Sequence, residues 1–181
     1  MNIEYIISQV LGAIGYGLLA YSFFKKEKKE ILFIQILAYI GFTTHYILLN
    51  AVTGTVCNIL GFIALILIYI LGNDKKKKRI LVFILIPILI SMAYLSYENI
   101  YSIFPVIGCL ISFITFLSDN TNLIRLVGII SAGCWLIYAL VYKSYSAIIF
   151  ETITVISSAI AYIKNKKRIK WFFFFKINLI G

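Results

Sequence analysis

The chain of 181 residues is 62% hydrophobic and 13% charged, with a mean hydropathy of +0.98; a soluble domain has roughly 45–50% apolar and about 25% charged residues. That excess excludes a soluble globular domain, because one aqueous core cannot hide it in a chain this short. The net charge of +10 does not point to nucleic acid, since the basic residues form short clusters between long apolar runs, where Lys and Arg set topology and meet anionic head groups.

A hydrocarbon core of about 30 Å needs roughly 20 apolar residues at a rise of about 1.5 Å each. Seven runs are read as spans: 6–24, 31–49, 52–72, 80–96, 100–118, 123–142 and 146–163. Backbone polar groups in lipid must be satisfied within the segment, and barrel-like alternation is absent, so the fold class is all-α, a polytopic membrane protein. The start, Met1-Asn2-Ile3-Glu4, lacks a basic stretch, so the first run is expected to be a retained helix.

The connections set orientation. Basic clusters follow the first run (Lys25 to Lys29) and the third (Lys75 to Arg79); Arg125 follows the fifth, and six more basic residues lie between Lys164 and Lys176. Sixteen of the seventeen basic residues then share one side, with Lys143 on the other. The positive-inside rule predicts an external N-terminus and a cytoplasmic C-terminus. The run Trp171-Phe172-Phe173-Phe174-Phe175-Lys176 is too short to span and reads as an interfacial anchor in a basic-aromatic tail, 164–181.

Two segments resemble each other. Gln9-Val10-Leu11-Gly12 parallels Pro105-Val106-Ile107-Gly108, and Gly41 to Tyr46 parallels Cys134 to Tyr138. Val56-Cys57-Asn58-Ile59 parallels Ile149-Phe150-Glu151-Thr152. Three-helix repeats are thus predicted at 6–72 and 100–163, joined by a linker helix at 80–96. Three is odd, so the linker helix turns the second copy round and makes the repeats parallel, which is a transporter architecture.

The runs Phe104-Pro105-Val106-Ile107-Gly108, Gly133 to Tyr138 and Ile149-Phe150-Glu151 resemble the YgjV family of bacterial inner membrane proteins, over most of 6–167. That family is similar in turn to the SWEET, SemiSWEET and PQ-loop group, with a three-plus-one-plus-three helix plan. The resemblance implies the bacterial inner membrane as location, and a solute pocket formed by an aromatic on the second helix of each triple and an Asn on the third. The matching positions are Phe42 with Asn58 and Trp135 with Glu151, so Glu151 replaces the second Asn. Of the gate prolines only Pro105 fits, Gln9 occupying its counterpart.

Glu151 is an acid inside the bilayer, costly unless paired, protonated or in a wet cavity, and such residues default to a functional role. Asn58 is a candidate hydrogen-bonding partner of a solute, or interhelical glue. The lone histidine, His45, is a candidate for proton relay or solute contact, with interfacial packing as the plainer reading. Gly12, Gly15, Gly17, Gly41, Gly108 and Gly133 are expected to allow close helix approach. Cys57, Cys109 and Cys134 lack metal-ligand spacing and read as packing residues, so no metal or cofactor is expected. No catalytic triad, carboxylate pair or phosphate loop is present, so no enzyme is expected. The reading is a SWEET-like transporter of a small polar solute in the lipid bilayer, the alternative being a non-transporting accessory or interaction protein on the same fold. A reporter fused after Gly181 should register as cytoplasmic and one at Met1 as external; both on one side would remove the seven-span topology.

Overall fold

A computed structural model describes the backbone of residues 3–178 apart from 23, 26, 73 and 119, and their side chains except at 28, 116, 121, 122, 161 and 164–178. It is all-helical: α1 (Ile3–Ser22), α2 (Lys28–Leu48), α3 (Val52–Leu71), α4 (Lys75–Leu95), α5 (Ile103–Leu117), α6 (Thr121–Val141) and α7 (Tyr145–Asn178). Five of these, α1 to α4 and α6, are long and apolar enough to cross a membrane among the described residues. Among the described residues the apolar stretch of α7 is Tyr145–Ile160, and it carries Glu151, Thr152, Thr154, Ser157 and Ser158. The stretch 164–178 continues α7 as helix; the side chains of the expected aromatic anchor lie outside the described residues.

Two starts differ from the sequence reading. The basic cluster after α3 lies within the first turn or so of α4, because Asp74 caps that helix: Lys77 N–H donates to Asp74 Oδ1 at 3.0 Å. The same bond holds the exposed Asp74 carboxyl below its usual range. The run from 100 is broken into a 3₁₀ turn, Ile100–Ser102, followed by α5. Asn99 Oδ1 accepts from Tyr101 N–H at 2.9 Å while Asn99 N–H donates to Ser102 Oγ at 3.4 Å. Pro105 then falls in the first turn of α5, where its missing N–H leaves no bond unmade.

The turns α2–α3 and α6–α7 are built alike. Asn50 and Lys143 both take positive φ, 54° and 52°. Ala51 N–H donates to Tyr46 O and Asn50 N–H to Ile47 O, while Ser144 N–H donates to Ala139 O and Lys143 N–H to Leu140 O. Each is a Schellman motif, which satisfies the last carbonyls of one helix while reversing the chain.

The helices neighbour one another in the cyclic order α1, α2, α3, α5, α6, α7 and back to α1, and α4 packs on the outside against α3 and α5. Leu60, Ala64, Leu81, Leu85, Leu89 and Phe113 fill the seam among α3, α4 and α5. Large apolar side chains such as Ile70 and Phe83 point away from the bundle, the arrangement lipid permits.

Glycines set the closest crossings. A Cβ on Gly41 would stand 3.1 Å from Gly15 Cα and from Leu11 O, so α1 and α2 touch backbone to backbone. Gly12 makes room for His45 and Ser146, and Gly108 for Trp135. Gly17 and Gly133 correct the sequence reading: a Cβ at either meets nothing within 4 Å, so neither marks a helix crossing. The unforeseen sites are Gly54, which accommodates Tyr138, and Gly61, which accommodates Tyr39. Gly41→Ala should therefore destabilise the detergent-purified protein by about 1–3 kcal/mol, since backbone cannot yield to the added methyl. Gly133→Ala should be neutral or raise stability by up to about 1 kcal/mol through helix propensity. A Gly41→Ala protein melting at the parental temperature would refute the close crossing.

Candidate functional site

The six helices of the ring enclose a cavity of about 310 Å³, and every one of them supplies part of its wall, whereas α4 supplies none. The lining residues run from mid-bundle toward the end that carries the basic loops, with Leu19, Gln35, Leu65, Thr115 and Thr154 on that side. The opposite end is packed shut. There His45 is buried, with Nδ1 2.6 Å from Ser8 O and Nε2 2.6 Å from Ser144 Oγ. Gly54 N–H donates to the Tyr138 hydroxyl at 2.9 Å; Thr53 Oγ1 donates to Ser96 O, and its oxygen also stands 3.0 Å from Ser102 Oγ. Thr53 N–H donates to a Glu98 carboxylate oxygen at 3.1 Å, and Ser146 N–H to Gln9 Oε1 at 3.1 Å. Side chains from the other half of the chain thus cap the N-termini of both α3 and α7, where free N–H groups attract acceptors.

Four of the five binding residues expected from sequence line this one cavity: Phe42 on α2, Asn58 on α3, Trp135 on α6 and Glu151 on α7. His45 stands apart; both its ring nitrogens are engaged in the sealed end. Glu151 turns into the ring, and Tyr16 donates its hydroxyl to Glu151 Oε1 at 3.4 Å. The Tyr16 ring is held between Phe42, at 4.5 Å between centroids, and Phe150, at 4.3 Å. Asn58, 5% exposed, donates Nδ2 to Gly54 O at 2.8 Å. Trp135 lies against Gly108, whose carbonyl accepts from Ser131 at 3.0 Å and from Ser112 at 2.8 Å.

The sequence reading passed over Tyr16, Tyr39, Tyr46, Ser112 and Ser131, which also line the cavity. Tyr46 is 1% exposed, and the hydroxyls of Tyr16 and Ser144 lie beside its own. The missed signal was a stripe: Gln35, Tyr39, Phe42 and Tyr46 recur every three to four residues along α2, polar or aromatic in a helix otherwise largely aliphatic. Cys57 and Cys109 also meet in the wall, with Cys109 Sγ 3.6 Å from Cys57 O.

The cavity can therefore offer one carboxyl, several hydroxyls, the two amides of Gln35 and Asn58 and a broad aromatic surface to a small guest. No curated protein and no solved structure matches the chain. A family model does, over residues 6–169, and on that match this chain belongs to the Imp-YgjV family of bacterial inner membrane proteins.

Proposed function

We propose that the protein is a SWEET-like carrier that moves a small polar solute by alternating access at this cavity. The observation that carries the reading is the wall itself, built by both three-helix units and by no residue of α4. Neighbour relations support two related units: α1·α2 corresponds to α5·α6, α2·α3 to α6·α7, and α1·α7 to α5·α3. The two Schellman turns support it as well, because Lys143 follows Asn50 by 93 residues, the spacing that separates Phe42 from Trp135 and Asn58 from Glu151. On this reading α4 is the linker that makes the repeats parallel. With the basic end cytoplasmic by the positive-inside rule, the described state is closed outside and reaches inward. Asn58 and Glu151 select the solute between the rings of Phe42 and Trp135.

A second reading, a non-transporting accessory protein, draws on one observation. Among the ring helices only α5 holds a proline, Pro105, and it sits in the first turn, where it breaks no hydrogen bond.

Crosslinking across the sealed end separates the two. In a background with Cys57, Cys109 and Cys134 replaced by Ala, Thr53→Cys with Ser102→Cys places two thiols where the paired oxygens stand 3.0 Å apart. Oxidation should abolish solute uptake by proteoliposomes offered a metabolite mixture, and reductant should restore it. Asn58→Ala should weaken solute affinity by about tenfold, the scale of one lost buried hydrogen bond. Undiminished uptake by the fully crosslinked protein would rule out alternating access through that end.

A further inference from the structure

Glu151 is the single ionisable carboxyl in the cavity wall, and no lysine, arginine or histidine lines the cavity among the described residues. The basic residues nearby in sequence do not reach it as wall members; Lys143 lies in the α6–α7 turn, where its carbonyl accepts from the Tyr5 hydroxyl at 2.7 Å. A carboxyl sunk in a low-dielectric bundle stays ionised only beside a counter-charge and is otherwise held protonated. Here the wall around it is aromatic: Tyr16, Tyr39, Phe42, Tyr46, Trp135 and Phe150. Aromatic faces attract cations through their quadrupoles, and more strongly where water is excluded.

We infer that the cavity is a binding site for a small monovalent organic cation, an amine or quaternary ammonium, whose charge Glu151 neutralises while the aromatic wall surrounds its carbon shell. The inference rests on the carrier reading for the fate of this guest, and it names the guest's chemical class. Two features favour an organic cation over a metal ion. Hard cations such as Mg²⁺ and Ca²⁺ take six or more oxygen ligands, and this wall has one carboxyl, two amides and scattered hydroxyls. The rings present carbon faces, which suit alkyl-ammonium groups rather than a bare ion. A neutral sugar, by contrast, would supply no counter-charge and would leave Glu151 protonated.

The test is binding to the purified full-length protein in detergent, with radiolabelled choline as probe and competition by ethanolamine, tetramethylammonium and the neutral isostere of choline in which carbon replaces nitrogen. Binding is expected for the cations, and the isostere should compete at least about tenfold less well. Glu151→Gln should lose choline affinity by a similar factor or more, Glu151→Asp should keep most of it, and Trp135→Leu should weaken it. Equal competition by the isostere, unchanged affinity in Glu151→Gln, or no binding of any of the three cations would overturn the inference. So would displacement by sodium or potassium chloride as effective as by tetramethylammonium chloride, which would mark an alkali-ion site. The isostere comparison uses the unaltered protein and so does not depend on any variant folding. Uptake by proteoliposomes distinguishes the two proposals. Choline binding without uptake keeps the cation site and removes the carrier reading; uptake of a neutral solute that no cation inhibits keeps the carrier and removes the cation site.

Discussion

The imidazole of His45 joins three parts of the bundle that apolar packing alone would not distinguish. In lipid, one aliphatic helix face is as well solvated by acyl chains as by another helix, so neighbours are chosen by small residues and polar bridges. His45, on α2, reaches Ser8 O on α1 with one nitrogen and Ser144 Oγ in the α6–α7 turn with the other. A carbonyl can only accept, so Nδ1 carries the hydrogen, and Nε2 is left to accept from the Ser144 hydroxyl. Gly12 makes the approach feasible, since a Cβ there would lie 2.9 Å from the ring nitrogen. One side chain thereby fixes the α1–α2 crossing and the seam where α7 returns to α1, closing the ring around the cavity.

The other seam, between α3 and α5, is closed by different chemistry at the matching place. Tyr138 follows His45 by 93 residues, and its hydroxyl accepts from Gly54 N–H at the start of α3. The tyrosine hydroxyl meets one group, a backbone N–H, where the imidazole meets two, a carbonyl and a serine hydroxyl, and the difference is made up nearby. Glu98 accepts from Thr53 N–H, and Thr53 itself bonds Ser102. At the start of α7 the acceptor is the Gln9 amide instead. A carboxylate suits the free N–H groups of a helix start better than a neutral amide does, so the α3 seam has the stronger cap and the α7 seam the more extensive bridge.

Five of the helices were legible as spans because length and apolarity suffice to identify a membrane helix, and the two cavity pairs because each keeps the same internal spacing. What the sequence concealed follows from the solvent. In water, polar and apolar faces separate outside from inside; in this chain both faces are apolar, so Ile137 outside and Ala139 inside carry no contrasting signature. Neighbour order was therefore invisible, and with it the glycines that matter: Gly133 faces open space whereas Gly54 and Gly61 receive tyrosine rings. The role of His45 was hidden for the same reason, since its partners are a backbone carbonyl and a serine 99 residues away. The break at Ile100–Ser102 depends on Asn99 and Ser102 acting together, a signal easily lost beside an apolar run.

The placement of α4 bears on how such a ring would move under the carrier reading. Pro87 lies inside α4, where it costs a backbone bond and permits a kink, yet α4 contributes nothing to the cavity. The ring helices, in turn, have no proline in their described interiors beyond the first turn of α5. Motion by bending individual helices therefore has no evident hinge around the cavity. On the carrier reading the two seams α1–α7 and α3–α5 are where the three-helix units would meet, and at the sealed end the polar bridges include those of His45, Tyr138 and Thr53. A rocking of one unit against the other about those seams, with Schellman turns keeping each second and third helix together, would open the closed end without breaking any helix. The bonds to be exchanged are those of His45, Tyr138 and Thr53, so the groups that define the ring would also be the groups that gate it.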